Sequence, residues 1–277
     1  MASNRKVALV TGSNKGVGFA VVRALCKSYD GDVFLTSRDV GRGQAAIADL
    51  NKEGLQPKFH QLDISDRSSI ERLKSFLQFT YGGLDVLVNN AGIAYQEDDP
   101  ASFSERAEVT CKTNFSATLD VCRVLFPLLR PHARVVNVSS LVSQSAITRC
   151  SPAVQGRLKD PGLTMGSLEK IMQEFVYAAK AGTHRDQGFA NIPYGMSKIG
   201  VTAMSFIQDR DIRKDSREDI VINACSPGRV ATDMTSNKGT KTIDEGADTL
   251  VYLALLPPNT TSPRGNLVAD RRIQNWG

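Results

Sequence analysis

Histidine is scarce in this 277-residue chain: only three are present, far apart at positions 60, 132 and 184. The five cysteines (Cys26, Cys111, Cys122, Cys150 and Cys225) are odd in number and include no C-x-x-C pair. Neither a zinc site nor a disulfide framework is expected from such a set. Long blocks of like charge are also missing. The 34 Lys and Arg against 29 Asp and Glu leave a net charge of only +5, spread along the chain, which argues against a nucleic-acid partner. No apolar run nears the ~20 residues of a membrane helix. The opening MASNRK leads into a short apolar stretch, without the roughly 7–15-residue core of a secretory signal. No metal, nucleic acid or membrane partner is therefore expected, and the expected location is cytoplasmic.

What remains is an ordinary globular balance, 41% hydrophobic and 23% charged, in a chain long enough for one large core. Val7-Ala8-Leu9-Val10 is a continuous apolar run closed by Thr11-Gly12, as in a strand buried on both faces. Val17, Ala20, Val21, Ala24 and Leu25 then recur at helical spacing. Further strands are predicted at 32–36, 58–62, 84–88, 134–138 and 220–224. Helices are predicted at 41–53, around Ile70–Leu77, at roughly 105–129 and at about 194–214. This alternation specifies an α/β fold with one doubly wound parallel sheet. Between about 145 and 193 the rhythm breaks around one amphipathic helix (Leu168, Ile171, Met172, Phe175, Val176). That stretch is read as a helical insertion within a single domain, 1–277.

Gly12-Ser13-Asn14-Lys15-Gly16-Val17-Gly18 lies where the first strand hands over to the first helix. Glycines there allow a tight turn and let backbone N–H groups meet a pyrophosphate. At the end of the second strand an acidic residue would accept a ribose 2′-hydroxyl. Here Ser37-Arg38 stands instead, with Arg42 one turn on and Lys15 in the loop. Guanidinium groups fork onto phosphates, so NADPH/NADP is favoured over NAD, although Asp39 stands beside Arg38. Asp63 either accepts from an adenine amino group or caps the next helix. Asn89-Asn90-Ala91-Gly92 either passes close to an adenosine or forms a plain turn.

Tyr194-Gly195-Met196-Ser197-Lys198 sets a phenol and an ammonium four residues apart, on one helix face. A nearby cation favours phenolate, and moving an isolated phenol from ~10 to near 7 needs ~4 kcal/mol. Such a pair suits proton donation to a carbonyl oxygen. Val135-Val136-Asn137-Val138-Ser139-Ser140 ends a strand at the sheet edge where ligands bind. There Ser140 either holds a substrate oxygen or caps a helix. Asn114 either orients a water or is a buried structural amide.

In this order, T-G-x-x-x-G-x-G, N-N-A-G, Asn114, N-V-S-S, Y-x-x-x-K and Ser226-Pro227-Gly228, the chain resembles the short-chain dehydrogenase/reductase family, with a Rossmann-type sheet. It is most similar to that family's monomeric NADPH-dependent carbonyl reductases. The resemblance implies a catalytic set of Asn114, Ser140, Tyr194 and Lys198, with Lys15, Arg38 and Arg42 on the 2′-phosphate. Asp63, Ile64 and Asn90 would hold adenosine, and Val230, Ala231 and Thr232 the nicotinamide amide. The reaction implied is hydride transfer to a ketone, aldehyde or quinone, such as a xenobiotic, prostaglandin or steroid carbonyl compound. A cofactor sensor without turnover and an NADP-dependent alcohol dehydrogenase are the alternatives. The 54 residues from Ser140 to Tyr194 exceed the spacing in most of the family and imply a monomer. The chain departs from its close relatives at Arg106, Arg229, Ser226 and Glu97. Ser226 replaces a cysteine and Glu97 follows Tyr95-Gln96. Arg106, Arg229, Ser140 and Met234 are expected around the substrate, and the two arginines either favour acidic carbonyl compounds or point into water.

Overall fold

The computed structural model describes residues 5–96 and 98–276; Glu97 lies outside them. The first third alternates as the sequence predicts. The order is β1 (Val7–Val10), α1 (Gly16–Ser28), β2 (Asp32–Ser37), α2 (Val40–Lys52), β3 (Lys58–Gln61), α3 (Arg67–Tyr81) and β4 (Leu84–Asn89). The predicted helix at 105–129 is composite. It begins as α4 (Phe103–Thr110), passes through a π-helical segment (Cys111–Ala117) and resumes as α5 (Thr118–Leu125). A 3-10 turn (Phe126–Leu128) then leads into β5 (Leu129–Val138), which starts five residues earlier than predicted. The insertion holds three helices rather than one: α6 (Val142–Ile147), α7 (Pro152–Lys159) and α8 (Met165–Lys180). After them come α9 (Pro193–Ile212), β6 (Val221–Cys225), α10 (Ile243–Ala254), β7 (Leu267–Ala269) and β8 (Arg272–Gln274).

All eight strands join one sheet in the order β3-β2-β1-β4-β5-β6-β7-β8. Every pairing is parallel except the last, where β8 runs antiparallel to β7. The apolar run of β1 follows from burial on both faces. Ala8 and Val10 share a core layer with Val21 and Leu25 of α1 and Leu250 of α10. Val7 and Leu9 share another with Ile70 and Leu73 of α3 and Val121 of α5. A third core is formed by the insertion itself, where Leu168, Ile171, Met172 and Phe175 of α8 pack with Met196, Ile199 and Ile207 of α9.

The strand order turns back on itself at β1, which pairs with β2 on one side and β4 on the other. A crevice opens at the carboxyl ends of strands at such a switch point. The Thr11–Gly18 turn and the Asn89–Gly92 turn both leave the sheet there.

Candidate active site

The two turns are locked to each other. Thr11 Oγ1 accepts from the backbone N–H groups of Asn90 and Ala91, each at 3.0 Å. Asn90 Nδ2 returns bonds to the carbonyls of Thr11 (3.0 Å) and Gly12 (2.9 Å). Gly12 has φ +59°, and a Cβ there would stand 2.8 Å from the Ala91 Cβ. A Cβ on Gly18 would meet Asn90 Nδ2 at 2.4 Å. Gly12 is therefore required for the left-handed turn, and both glycines for close approach of the two loops. Sequence reasoning assigned Asn90 to adenosine and missed Thr11 as the residue that organises the pair.

The residues fit a dinucleotide. Helix α1 starts at Lys15 with no side-chain cap, whereas Asp39, Asp66, Ser102, Ser151, Thr164 and Thr242 cap α2, α3, α4, α7, α8 and α10. The N–H groups of the Asn14–Val17 turn are then suited to a pyrophosphate. Arg38 and Arg42 are both exposed at the start of α2. Asp39 is occupied as the cap of that helix, its Oδ1 accepting from Arg42 N at 2.7 Å, so its carboxylate is tied down beside them. Lys15 is placed differently from expectation. Its Nζ pairs with Asp233 Oδ2 at 2.6 Å, across the crevice from α2. Asp63 is half-buried, its Oδ1 accepting from Ser65 N and Oγ; the cap of α3 is Asp66 instead. Ile64 is half-buried beside it. The Val230–Thr232 stretch closes the far side. Val230 is buried, Ala231 and Thr232 are half-buried, and a Cβ on Gly16 would lie 3.4 Å from Thr232 Cγ2.

Tyr194, Lys198, Ser140 and Asn114 come together at the ends of β4 and β5. The Ser140 side chain stands close enough to the Tyr194 phenol to favour its ionised form. Ser140 Oγ also accepts from Val142 N at 3.1 Å, so it anchors α6 as well as facing the phenol. Lys198 Nζ lies 5.6 Å from the Tyr194 ring centroid and donates to the Val138 carbonyl at 2.7 Å. A Cβ on Gly92 would stand 3.1 Å from Asn114 Oδ1 and 3.7 Å from Lys198 Nζ. Asn114 sits in the π-helical segment, an irregularity frequent at functional sites. Its Oδ1 accepts from Ile93 N (2.8 Å), and its Nδ2 donates to Ile93 O (2.9 Å) and Ser197 Oγ (3.0 Å). Both amide hydrogens are thus spent on protein, and the side chain ties the helix to the Gly92–Ile93 turn rather than presenting a donor to water. Ser197, which the sequence left unremarked, links that amide to the Tyr194 carbonyl at 2.8 Å.

Burial corrects the electrostatic expectation for this pair. It pushes the Tyr194 phenol up to about 12, only partly opposed by Ser140. It brings the Lys198 ammonium down to about 8. Desolvation penalises whichever form is charged, and at this separation it outweighs the lysine's pull on the phenol. The pair at neutral pH is a protonated phenol beside an ammonium.

Around the residues expected to meet a substrate the outcomes divide. Arg106 is half-buried and holds a loop, its guanidinium donating to the carbonyls of Ala101 (3.0 Å) and Asp99 while lying 5.9 Å from the Tyr95 ring. These bonds use two of its five N–H donors. Arg229 and Met234 are exposed on the loop after β6. Ser226 Oγ, where the resemblance places cysteine in relatives, accepts from Leu141 N (3.1 Å) and Gly228 N (3.3 Å). That hydroxyl joins the loops following β5 and β6. Gln96 donates to the carbonyls of Asp233 (2.8 Å) and Met234 (3.3 Å), so the 95–96 stretch is stitched to the same loop.

The family model for short chain dehydrogenases matches residues 6–152, which contain both turns, Asn114 and Ser140. The chain belongs to the short chain dehydrogenase family. It is 51% identical to human carbonyl reductase (NADPH) 3 and 52% identical to human carbonyl reductase (NADPH) 1, each across 277 residues and the whole of both chains. Among solved structures it is similar to salutaridine reductase from Papaver somniferum, with a TM-score of 0.84, 28% identity, and coverage of 95% of this chain and 99% of that one. Menthone neomenthol reductase from Mentha piperita gives a TM-score of 0.80 at 29% identity, covering 96% and 99%. In this short chain dehydrogenase the carboxyl-edge crevice and the Tyr194–Lys198 pair occupy the same end of the sheet.

Proposed function

We propose that this short chain dehydrogenase reduces ketones, aldehydes and quinones to alcohols with NADPH. The full-length likeness to proteins named NADPH carbonyl reductases supports the activity. The observation that carries the mechanism is the Tyr194 phenol one helical turn from the buried Lys198 ammonium, whose Nζ lies 5.6 Å from the Tyr194 ring centroid, with Ser140 acting on the phenol. When bound, the nicotinamide supplies the hydride. The chain's own residues orient the acceptor and move the proton. Ser140 Oγ and the Tyr194 Oη both face the substrate oxygen, and Tyr194 gives its proton to that oxygen as negative charge develops there. Lys198, held by Val138 O, keeps a positive charge beside the phenolate that forms and would hold the nicotinamide ribose. Asn114 fixes the Gly92–Ile93 turn against α9. The amides of the 12–18 turn would hold the pyrophosphate, Arg38 and Arg42 the 2′-phosphate, and Asp63, Ile64 and Asn90 the adenosine.

Substrate choice is assigned to the loop after β6. Arg106 is bonded to two loop carbonyls and Arg229 is exposed, so Arg229 is the arginine to which a preference for acidic carbonyl compounds is assigned. Matched acid and ester substrates test this: a kcat/KM ratio of roughly tenfold for the acid is expected, and equal values would remove the preference. The chain acts as one catalytic unit, 1–277, and a cytoplasmic location is the natural one. Among the described residues no helix is long and apolar enough to cross a membrane. The activity itself is tested by following NADPH and NADH absorbance with a panel of quinones, diones, steroids, prostaglandins and aldehydes. Loss of NADPH with at least one of them is expected; retention of NADPH with all of them would leave a cofactor-binding protein without turnover.

A further inference from the structure

We infer that Trp276 is a positioning residue for the Ser140–Tyr194–Lys198 site, acting through a buried chain of hydroxyls. This rests on the reading of those three residues given above. Trp276 lies after β8, in a segment far from the site in sequence. Its Nε1 donates to Ser143 Oγ at 3.1 Å. Ser143 Oγ also accepts from Thr202 Oγ1 at 3.2 Å. Thr202 Oγ1, its hydrogen spent on Ser143, is 2.6 Å from Ser139 Oγ, and the single Ser139 hydrogen goes either to Thr202 Oγ1 or to the backbone carbonyl of Lys198 at 3.1 Å. Ser139, Ser143 and Thr202 are all fully buried, so water does not replace a missing partner.

The chain runs between the elements that carry the site. Ser139 precedes Ser140 at the end of β5, Ser143 lies in α6, and Thr202 is one turn beyond Lys198 in α9. Helix α6 presses on α9 beside the phenol, since a Cβ on Gly195 would come within 2.7 Å of Ala146 Cβ. A small shift of α6 is therefore transmitted to both Ser140 and Tyr194. The 270s segment pins α6 at two points: the Trp276 bond, and a bond from Gln144 Nε2 to the Asn275 carbonyl. The Trp276 ring meets Phe206 of α9 edge-on at 5.3 Å, which clamps α6 and α9 from outside the crevice. An indole N–H only donates and a carbonyl only accepts. The two ends of the hydroxyl chain are thus fixed in role by groups that are not themselves hydroxyls.

Trp276→Phe keeps an aromatic ring against Phe206 and removes the N–H; Ser143→Ala removes the acceptor. Each is expected to lower kcat roughly tenfold, as sub-ångström misplacement of reacting groups does. KM for NADPH and the melting temperature should stay close to wild type, and the double variant should be no slower than the slower single. Wild-type kcat in either single variant, multiplying losses in the double variant, or a loss of NADPH affinity in step with kcat would overturn the inference. If Trp276→Phe melts far below wild type, Ser143→Ala decides by the same criteria. Tyr194→Phe measured alongside keeps the two claims apart. Turnover in that variant removes the site reading itself, whereas an inactive Tyr194→Phe with a fully active Trp276→Phe removes only the role of Trp276.

Discussion

Lys198 is an ammonium held where little water reaches it, and that sets the pH behaviour of the site. Its pKa is about 8, against an ordinary 10.5, because burial disfavours the charged form. Below about pH 8 it is charged. Reduction needs the charged lysine and the protonated phenol, and Tyr194, pushed up to about 12, keeps its proton throughout. The log of kcat/KM for reduction is therefore expected to be flat up to about pH 8 and to fall by one unit per pH unit above it. A profile that rises through pH 8 would contradict this assignment. The same burial has a stability consequence with a definite sign. Between about pH 8 and 10.5 the unfolded chain binds the proton that the folded chain has released, so this group's contribution to stability grows with pH in that window. Below it, the buried charge costs ~3 kcal/mol, offset in part by the bond to Val138 O. Lys198→Met should raise the melting temperature at pH 7 by on the order of 5 °C while abolishing turnover. Calorimetry at pH 7 checks it, and a lower melting temperature would show the charge to be stabilising. The spacing of Tyr194 and Lys198 made the pair legible in the sequence; the winning electrostatic effect was not, because desolvation depends on what else packs there.

The element that selects the cofactor is the junction of β2 and α2. Arg38 ends the strand and Arg42 lies in the first helical turn, while Asp39 is held as the helix cap by Arg42 N. A charge-assisted bond to phosphate contributes about 1.5–3 kcal/mol. Arg38→Ala is expected to raise KM for NADPH by roughly 10- to 100-fold and to leave KM for NADH almost unchanged. Equal losses with both cofactors in steady-state kinetics would place the 2′-phosphate elsewhere. This junction could be read from sequence because its parts are neighbours in the chain. Lys15 could not, since Asp233, its partner, stands 218 positions away. The same distinction holds for whole elements. The strands β1, β2, β4 and β6 and the second half of β5 announce themselves as apolar runs because both faces are covered, whereas β3, at the sheet edge, is only partly buried. By contrast, β7 and β8 have three residues each, too few for a periodicity to show. The π-helical segment at Asn114 leaves no mark in the pattern of α4 and α5, which reads as one continuous helix.

At the level of the whole molecule, the insertion decides which surface of α9 meets solvent. The apolar face of α8 is buried against α9, and ion pairs fasten α8 to its neighbours: Arg123 with Glu169 at 2.7 Å and Lys180 with Glu108 at 2.7 Å. A helix face already covered within the chain is not available to a second copy, so the protein is expected to be a monomer. Gel filtration with light scattering at micromolar concentration should give a mass near 30.1 kDa, and a stable species of twice that mass would refute it. One amphipathic helix of the insertion was evident in the sequence; α6 and α7 were not, being six and eight residues long, too short for a periodicity to show. The whole account turns on proton delivery from Tyr194 to a carbonyl oxygen, and Tyr194→Phe tests that most directly. Its NADPH affinity, measured by fluorescence titration, should match wild type within about twofold, while kcat for the best ketone falls by at least ~10²-fold, the usual contribution of a positioned proton donor. A variant that binds NADPH and reduces the ketone at the wild-type rate would contradict it.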